Sequence, residues 1–375
     1  MKDLQKRTWA EISLENIRHN YKTIRTALPT GCRFLGVVKA DAYGHGALAV
    51  ARLLQEEGAE YLAVSCLDEA MELRDGGIDM PILILGHTPC EYTGMLIENR
   101  ITQTVTCLAK ALEYSEAAVK LGGELMIHLK LDTGMSRLGY LCAGSYFDEG
   151  VDNIIRSCRL PGLISQGIYT HFAVSDELDG DSAQYTKQQF ALFMDVIREV
   201  KARSGIDFEI RHCANSDAVV NYPEMALDMV RPGLLLYGYG DSSGSLGLRP
   251  CMRLVTTVST IKFYEPDTTV SYGRHYRTEA RTRMGVLAIG YADGLFRCLS
   301  DKCSFAARGG LAPQRGRICM DMCMVDLSAL PEVDVGSEVE IFGERNDIRL
   351  LSHAAGTIPY ELLCSVSKRV PRIYK

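Results

Sequence analysis

The sequence of 375 residues contains no long apolar run. No stretch reaches the roughly 18 consecutive apolar residues that a helix needs to cross a bilayer. Residues 1–7 (MKDLQKR) lack the apolar core of a secretory signal peptide. We therefore expect a cytoplasmic protein without membrane spans.

Clusters of basic residues are missing as well. The formal net charge is −6 at pH 7, and no dense group of lysines and arginines occurs. A protein that binds nucleic acid usually concentrates positive charge on one surface. The sequence therefore argues against a nucleic-acid partner, and its 47% hydrophobic and 23% charged residues are ordinary for a globular enzyme.

The thirteen cysteines show no Cys-x-x-Cys pair and no Cys/His cluster. The closest pairs, Cys298 with Cys303 and Cys319 with Cys323, have poor spacing for zinc, so we predict no metal site. Several others lie in apolar stretches, where free cysteine behaves as a small hydrophobic residue. Reduced thiols in a cytoplasmic protein are the simplest interpretation.

Short apolar runs alternate with longer amphipathic stretches up to about residue 240. Strand alternating with helix predicts a parallel sheet, and eight units in about 240 residues match the size of a (β/α)₈ barrel. The eight runs are 34–39, 61–66, 81–86, 101–106, 126–131, 163–172, 208–213 and 229–237. The clearest helical patterns are 46–57, 67–76, 107–121 and 182–203.

The pattern changes after residue 240, where turn residues become frequent and helical periodicity is rare. A chain of this length also suggests two domains. We predict a barrel domain at 1–240 and a mostly β domain at 241–375, with residues 241–247 as the boundary. The later β-rich runs are 254–264, 284–290 and 338–342, with a short helix near 351–356.

Lys39 directly follows the apolar residues 34–38 and is expected at the C-terminal end of a buried strand. Desolvation there lowers the pKa of an ammonium group. A partly neutral lysine is a nucleophile suited to forming a Schiff base with a carbonyl cofactor. Taken alone, a lysine in such a place is more often a structural ion-pair partner, so the choice depends on the segment that follows it.

Other chemically capable residues fall at the predicted strand ends. Barrel enzymes place their active sites at the C-terminal ends of the strands, so these side chains are expected to converge. The candidates are Lys39, Lys130, Asp132, His171, Ser216, Arg231 and Gly233.

The segment 39–46 (KADAYGHG) resembles the pyridoxal 5′-phosphate (PLP) attachment segment of the alanine racemase family. The resemblance implies that Lys39 carries PLP and that the chain interconverts L- and D-alanine. Further fragments extend it over essentially the whole chain in family order. They are TGM at 133–135, YTHF at 169–172, ANS at 214–216, RPG at 231–233, SYG at 271–273, GYADG at 290–294 and GRICMD at 316–321.

The phosphate of PLP needs neutral donors and backbone amides. Ser216 follows a predicted strand and precedes a short predicted helix, so it is expected both to cap that helix and to bind the anion. Gly233 allows close approach of the backbone. The resemblance adds further cofactor contacts at Tyr43, His171, Asn215, Leu234 and Tyr360.

Arg231 is the expected partner of the pyridine nitrogen. Many PLP enzymes place a carboxylate there, which keeps that nitrogen protonated. Arginine stays charged and only donates hydrogen bonds, so the nitrogen facing it remains unprotonated. This weakens the ring as an electron sink, which suits racemisation because it disfavours transamination.

Racemisation requires a proton to leave one face of the α-carbon and another to arrive on the opposite face. Lys39 is one base, and the resemblance assigns the second to Tyr272. A phenol has a pKa of about 10 in solution and needs help to act as a base near neutral pH. His171, next to Arg231 in the family arrangement, is expected to polarise it, although a structural role for His171 is also open.

The resemblance assigns Arg137 to the substrate carboxylate and the cofactor hydroxyl. It matches Lys130 to a lysine that some members carry as a carbamate, an anion able to hold an arginine by paired hydrogen bonds. An unmodified Lys130 paired with Asp132 is the alternative. Asp321 is expected to be structural.

The resemblance also implies a head-to-tail homodimer. In the family, the residues matching Tyr272, Tyr291 and Met320 reach the barrel of the neighbouring subunit, and Met320 offers a backbone amide to the substrate. Each active site would then need both chains. A two-fold dimer is also the commonest oligomer.

Three other functions are weighed against alanine racemisation. A related racemase acting on serine is open, because a small pocket poorly rejects one added hydroxyl group. Tyr360 favours alanine. A non-catalytic PLP-binding barrel would lack the predicted β domain, and a barrel-fold decarboxylase would normally place an acidic residue where this chain has Arg231.

Overall fold

The computed structural model describes residues 7–375, without the side chains of residues 241 and 242. The chain forms two compact units, each assembled from separate segments. One contains the described residues up to Asn16, together with Tyr43–Gly46 and Pro250–Lys375; the other contains Ile17–Ala42 and Ala47–Arg249. The expectation about a signal peptide falls largely on residues 1–6, outside the described residues.

The secondary-structure elements follow in chain order. The strands are β1 (Thr8–Ile12), β2 (Arg33–Val37), β3 (Tyr61–Val64), β4 (Ile82–Ile84), β5 (Ile101–Val105), β6 (Leu125–Asp132), β7 (Tyr140–Leu141), β8 (Leu163–Tyr169), β9 (Ile210–His212), β10 (Met229–Val230), β11 (Met252–Tyr264), β12 (Thr269–Val270), β13 (Tyr276–Arg277), β14 (Thr282–Leu287), β15 (Ser304–Ala307), β16 (Gly310–Arg315), β17 (Cys323–Asp326), β18 (Glu338–Phe342) and β19 (Arg372–Tyr374). The helices are α1 (Leu14–Ala27), α2 (Lys39–Tyr43), α3 (Ala47–Glu56), α4 (Leu67–Asp75), α5 (Thr93–Glu98), α6 (Leu108–Leu121), α7 (Phe147–Cys158), α8 (Gly180–Ser204), α9 (Ser216–Asn221), α10 (Ile348–Ala355) and α11 (Pro359–Ser365).

The larger unit is a parallel barrel, as predicted. Its strands run in the order β10-β2-β3-β4-β5-β6-β8-β9, and every pairing along this path is parallel. Backbone bonds from Asp228 to Arg211 (3.1 Å) and from Arg231 to Ala214 (3.0 Å) bring the two outer strands together and nearly close the barrel. Each of the eight predicted apolar runs overlaps one of these strands.

The apolar composition of the barrel strands explains why they are buried on both faces. β3, β4 and β5 are buried at every position, which is typical of parallel strands covered on both faces. The helices outside carry one apolar stripe each. In α3 the buried residues are Ala47, Val50, Ala51, Leu53 and Leu54, the spacing of a single helical face.

The smaller unit is mostly antiparallel β structure, which agrees with the predicted fold class. Its main sheet has the order β14-β17-β16-β15-β18-β11-β1-β19, and a further pairing of β14 with β11 joins six of these strands in a ring. The predicted runs 254–264, 284–290 and 338–342 correspond to β11, β14 and β18, and the predicted helix near 351–356 overlaps α10.

The N-terminal strand adds a feature that the sequence prediction did not include. β1 pairs with β11 in antiparallel register, with Thr8 opposite Thr256, and with β19 in parallel register. The first strand of the chain thus belongs to the β unit. The domain boundary predicted near residue 241 stays a prediction.

No helix within residues 7–375 has the length and apolar character needed to cross a membrane. The structure shows all thirteen cysteines as free thiols. Within the same residues, no group of three or more His, Cys, Asp or Glu side chains is arranged to hold a metal ion.

Candidate active site

Lys39 begins a left-handed turn at the C-terminal end of β2. Ala40, Asp41 and Ala42 have φ of 52°, 54° and 53°. Residues other than glycine rarely adopt this conformation, which costs roughly 1–2 kcal/mol per residue. Hydrogen bonds hold the turn, including one from the amide of Ala42 to the carbonyl of Val38 (2.9 Å). The backbone direction at Lys39 is therefore imposed by its surroundings.

Arg231 lies just after β10 and is buried, with 4% of its surface exposed. Its guanidinium donates to the carbonyls of Thr170 (2.7 Å) and Cys213 (3.0 Å) and to the rings of His212 (3.0 Å) and His171 (3.3 Å). All four acceptors are neutral groups. Among the described residues, no carboxylate forms an ion pair with Arg231, so its positive charge stays uncompensated.

A chain of two histidines extends inward from Arg231. Because a guanidinium only donates, Nδ1 of His212 accepts and the proton of that ring sits on Nε2. Nε2 then donates to Nδ1 of His128 at 3.0 Å. Burial lowers the pKa of His212 well below its ordinary value and that of His128 to about 3, so both rings stay neutral. Tyr169 stacks on His212 with ring centroids 4.7 Å apart.

His171 follows β8 and faces a group of cations. Its Nδ1 accepts from Arg231, so its Nε2 carries a proton that it can donate. Burial lowers the pKa of His171 well below its ordinary value, and the charges of Arg231, Arg137, Lys130 and Lys39 lower it further. The structure therefore brings these five predicted residues to the same end of the barrel.

Ser216 begins α9 just after β9 and is buried, with 6% exposed. Its hydroxyl oxygen accepts from the amides of Gly233 (2.9 Å) and Leu235 (3.3 Å). Both lone pairs of the hydroxyl oxygen are therefore occupied. The hydroxyl proton remains available to donate a hydrogen bond. The predicted capping role is wrong, because the cap of α9 is Asn215, whose side chain accepts from the amide of Ala218 (3.1 Å).

Gly233 precedes the short 3₁₀ helix Leu234–Tyr237, and Leu234 is the first residue of that helix. Gly233 has φ of −109° and ψ of −98°, and the side chain of Leu234 is buried. The segment sits beside Ser216, whose hydroxyl oxygen accepts from the amide of Gly233.

Lys130 lies near the C-terminal end of β6, two residues before the strand ends at Asp132. It is 5% exposed, and its Nζ is 5.6 Å from the centre of the Tyr169 ring. Burial, reinforced by the charges of Arg137 and Arg231, lowers its pKa to about 8. The alternative of an ion pair with Asp132 does not occur among the described residues.

Asp132 instead shapes the loop after β6. Its Oδ1 accepts from the amides of Gly134 (3.0 Å) and Ser136 (2.9 Å). The next residue, Arg137, is exposed, and its side chain has no hydrogen-bond or ion-pair partner among the described side chains and backbone groups. An exposed cation on a fixed loop is suited to binding a carboxylate.

Tyr272 lies in the smaller unit, on a short 3₁₀ turn after β12, and is 70% exposed. The hydroxyl of Ser271 donates to the carbonyl of Arg317 (2.6 Å), which fixes the turn. Gly273 has φ of 73°, and a Cβ there would lie 3.2 Å from the Arg317 guanidinium. These contacts hold the backbone of the turn that carries the phenol of Tyr272.

Tyr291 and Met320 lie on neighbouring loops of the same unit and are 43% and 53% exposed. The amide of Ala292 donates to the carbonyl of Met320 (3.0 Å). A Cβ on Gly290 would lie 2.3 Å from the carbonyl oxygen of Cys319, so only glycine permits this contact. Asp321 pairs with Arg369 (2.8 Å), in agreement with a structural role.

Tyr43 and Tyr360 lie together in the smaller unit, with ring centroids 5.8 Å apart. Tyr43 is buried, and burial raises the pKa of its phenol far above the ordinary value. Such a phenol stays protonated and can only donate its proton or accept through oxygen lone pairs.

Two family models together match almost the full chain. One is described as alanine racemase, N-terminal domain, and matches residues 12–241; the other, alanine racemase, C-terminal domain, matches residues 251–374. The chain belongs to the alanine racemase family.

Individual relatives agree with this assignment. The alanine racemase of Clostridium tetani is 45% identical, over 98% of this chain and 95% of that protein. The solved alanine racemase of Clostridium difficile 630 superposes with a TM-score of 0.93 at 38% identity, covering 100% of this chain and 97% of that one. The Bacillus anthracis alanine racemase with bound L-Ala-P gives 0.90 at 33% identity, covering 99% and 96%. The chain is therefore a racemase enzyme.

The residues of the barrel in this family member fit PLP. The buried Ser216 hydroxyl has both lone pairs occupied and a proton to donate, as a phosphate oxygen requires. Arg231 is a buried cation without a counter-ion among the described side chains, and Lys39 is the amine at the mouth of the same barrel. This donor set suits an anionic cofactor that carries an aldehyde.

Several residues that organise the racemase site were not singled out from the sequence. His212 and His128 support Arg231, and their only signal is a polar residue within or at the end of a buried strand. Tyr169 also lies against Arg231, and the sequence analysis quoted it only within the fragment 169–172, without a role. Gln189, in α8, donates to the carbonyl of His171 (3.2 Å) and accepts from the amide of Ala173 (3.0 Å). A glutamine in an amphipathic helix carries no signal for such a role.

Proposed function

We propose that this enzyme interconverts L- and D-alanine with PLP attached to Lys39, and with Lys39 and Tyr272 as its two bases. The observation that carries the proposal is Arg231, a buried guanidinium held by neutral acceptors alone. Bound PLP would supply an electron-withdrawing ring that acidifies the α-hydrogen of the amino acid. Residues that would hold it are Lys39, Tyr43, His171, Asn215, Ser216, Arg231, Gly233, Leu234 and Tyr360.

Arg231 would limit how strongly the ring of bound PLP withdraws electrons. A carboxylate in its place would keep the pyridine nitrogen protonated, whereas a guanidinium offers only hydrogen-bond donors and would leave that nitrogen without a proton. The histidine chain behind Arg231 supports this state, because His212 and His128 are neutral acceptors and cannot remove its charge. The site would therefore favour return of a proton to the α-carbon of the substrate over transamination.

The two bases act on opposite faces of the α-carbon. In this proposal Lys39 holds the proton of one face and the phenol of Tyr272 that of the other. The protonated Nε2 of His171 is a hydrogen-bond donor suited to stabilising a phenolate oxygen. That interaction would let a tyrosine act as a base near neutral pH.

Arg137 is the proposed partner of the substrate carboxylate. Its side chain has no partner within the described residues, and Asp132 fixes its loop. Lys130 is the proposed carbamate. Its pKa of about 8 leaves part of the amine neutral near physiological pH, which is the form that reacts with carbon dioxide. The resulting anion would hold Arg137 and replace a buried cation that has no carboxylate partner in the described part of the chain.

We further propose a homodimer in which Tyr272, Tyr291 and Met320 of one chain complete the site of the other. Their exposures of 70%, 43% and 53% are consistent with surfaces that another chain covers. The thirteen free thiols favour a reducing cytoplasm, and D-alanine for peptidoglycan is the role expected of the product.

A chiral amino-acid assay over alanine, serine and other small substrates, with PLP supplied, tests the activity. We expect alanine to be interconverted fastest and serine more slowly, since a small pocket discriminates weakly against one hydroxyl. A higher rate with serine would favour the serine racemase alternative. No racemisation of any substrate would overturn the proposal.

Two variants test the assigned bases. Lys39→Ala should abolish the absorption band of covalently attached PLP, and an unchanged spectrum would contradict the attachment site. Tyr272→Ala should slow the reaction from L-alanine by at least about 10²-fold, the usual contribution of a positioned general base. Arg281→Ala, an exposed side chain in the same unit, is the matched control and should keep full activity. Equal loss in both variants of the β unit would indicate a folding defect.

A further inference from the structure

We propose that Glu69 is a positioning residue for Lys39, because its carboxylate ties the left-handed turn after β2 to the end of β3. This inference rests on the proposed function in one respect, the role of Lys39 as the attachment point of PLP. The assignment of Glu69 itself comes from the hydrogen bonds of the barrel.

Both oxygens of Glu69 are engaged with backbone amides. Oε1 accepts from the amide of Ala40 (2.7 Å), the first residue of the turn after Lys39. Oε2 accepts from the amide of Ser65 (2.7 Å), which directly follows β3. One carboxylate therefore bridges the C-terminal ends of two adjacent barrel strands, and charge-assisted bonds of this kind are stronger than neutral ones.

The strands that Glu69 joins are already in register. Val37 lies opposite Ala63, and the amide of Val38 donates to the carbonyl of Ala63 (2.9 Å). Two residues after Val38, at Ala40, the backbone becomes left-handed. Glu69, in the first turn of α4, continues the connection beyond the point where the strand ladder ends.

The other end of the turn has a similar anchor. Oδ1 of Asp41 accepts from the amide of Ala47 (2.7 Å), the first residue of α3. The four left-handed residues Ala40–Tyr43 are thus tied to the end of β3 by Glu69 and, through the side chain of Asp41, to the start of α3. Without the Glu69 anchor, Ala40 can relax toward the right-handed conformations that L-residues prefer, and the Cα–Cβ direction of Lys39 changes with it.

The bridge formed by Glu69 lies near the protein surface, so its loss should affect the position of Lys39 and not the folding of the barrel. Ala40 and Ser65 are exposed and Glu69 is half-buried, so water can replace the carboxylate as acceptor for either amide. A water molecule at each amide would not join the two loops. Removal of Glu69 should therefore leave the barrel folded and loosen only the turn that carries Lys39.

Three full-length variants test this assignment. Glu69→Ala removes both acceptors, and Glu69→Gln retains one carbonyl oxygen and so keeps one of the two bonds. Asp68→Ala is the matched control, since it removes an exposed acid from the same first turn of α4. Hydrogen exchange at the amides of Ala40 and Ser65 reports on the bridge without any cofactor. The rate at which PLP becomes covalently attached to the stripped protein, fixed by borohydride and read by mass, reports on Lys39.

In Glu69→Ala we expect both amides to exchange about tenfold faster and PLP attachment to slow by about the same factor, the scale of one lost hydrogen bond to a charged group. Glu69→Gln should lie between Glu69→Ala and the wild type, and Asp68→Ala should match the wild type. The turnover number should fall with little change in KM, because substrate contacts are untouched.

Attachment at the wild-type rate in Glu69→Ala would overturn the inference, and so would an equal effect of Asp68→Ala. If Glu69→Ala fails to fold, Glu69→Gln decides, and wild-type exchange and attachment in that variant would count against the bridge. If the wild-type chain never attaches PLP at Lys39, the proposed function is wrong. In that case hydrogen exchange still tests the bridge, and unaltered exchange at the amides of Ala40 and Ser65 in the Glu69 variants would contradict it.

Discussion

Lys130 shows how burial and neighbouring cations act on a single side chain. Its pKa falls from 10.5 to about 8, chiefly through desolvation and then through the charges of Arg137 and Arg231. Between these two pH values the unfolded chain binds more protons at this residue than the folded chain does. The free energy of unfolding therefore gains from this group as pH rises through that window, and the full penalty of burying the ammonium is present below about pH 8.

Replacing Lys130 by methionine should remove that penalty. At pH 7 in buffer free of carbon dioxide, we expect Lys130→Met to be more stable than the wild type by up to about 3 kcal/mol, from a shift of roughly two pKa units and the added packing. The difference should shrink as pH approaches 10.5, where the lysine is neutral in both states. Urea unfolding at several pH values measures it. A difference that does not vary with pH would show that Lys130 does not titrate as described.

At the scale of elements, the left-handed turn at Lys39–Tyr43 stores backbone strain. Ala40 has φ of 52° and an exposed side chain, so glycine relieves the strain without losing packing. We expect Ala40→Gly to raise the free energy of unfolding by about 1 kcal/mol. The matched control is Ala49→Gly inside α3, which should lower it by a similar amount. A change of the same sign in both variants, by urea unfolding, would contradict a strained turn.

The loops that present Tyr291 and Met320 depend on one close backbone contact. A Cβ on Gly290 would lie 2.3 Å from the carbonyl oxygen of Cys319 and 2.4 Å from that of Met320. Backbone atoms cannot move aside as a flexible side chain can, so Gly290→Ala should destabilise the protein by about 2–4 kcal/mol. In Gly94→Ala the new Cβ meets only Leu121 at 3.6 Å, and stability should change by less than about 1 kcal/mol. Equal thermal stability of the two variants would contradict the contact.

Sequence patterns identified the barrel strands because each is locally apolar and bounded by an amphipathic helix. β1 shows what such patterns leave out. Its five residues resemble any short strand, and their partners, β11 and β19, lie more than 200 residues away in the chain. Pairing over that distance depends on the folded chain as a whole, so no local period indicates it.

The candidate site divides in the same way. Lys39, His171 and Arg231 stand at strand ends, and the barrel geometry brings them together. Arg231 donates to Nδ1 of His171 (3.3 Å), and the charges of Arg231 and Lys39 lower the pKa of His171. Glu69 and Gln189 act through backbone groups of distant loops. Backbone groups are the same in every residue, so the sequence contains no sign of which amide a side chain will reach.

At the scale of the whole molecule, the proposed shared sites can be tested by mixing two inactive chains. Lys39→Ala lacks the cofactor lysine and Tyr272→Ala lacks the opposing phenol. If each site takes Lys39 from one chain and Tyr272 from the other, a mixed dimer contains one site with both defects and one intact site. Half of the dimers in an equal, freely exchanging mixture are mixed, so activity should recover to about a quarter of the wild type. Each variant alone is the control, and an unfolding and refolding step ensures exchange. No recovery, with mixed dimers demonstrated by differently tagged chains, would mean that each subunit carries a complete site.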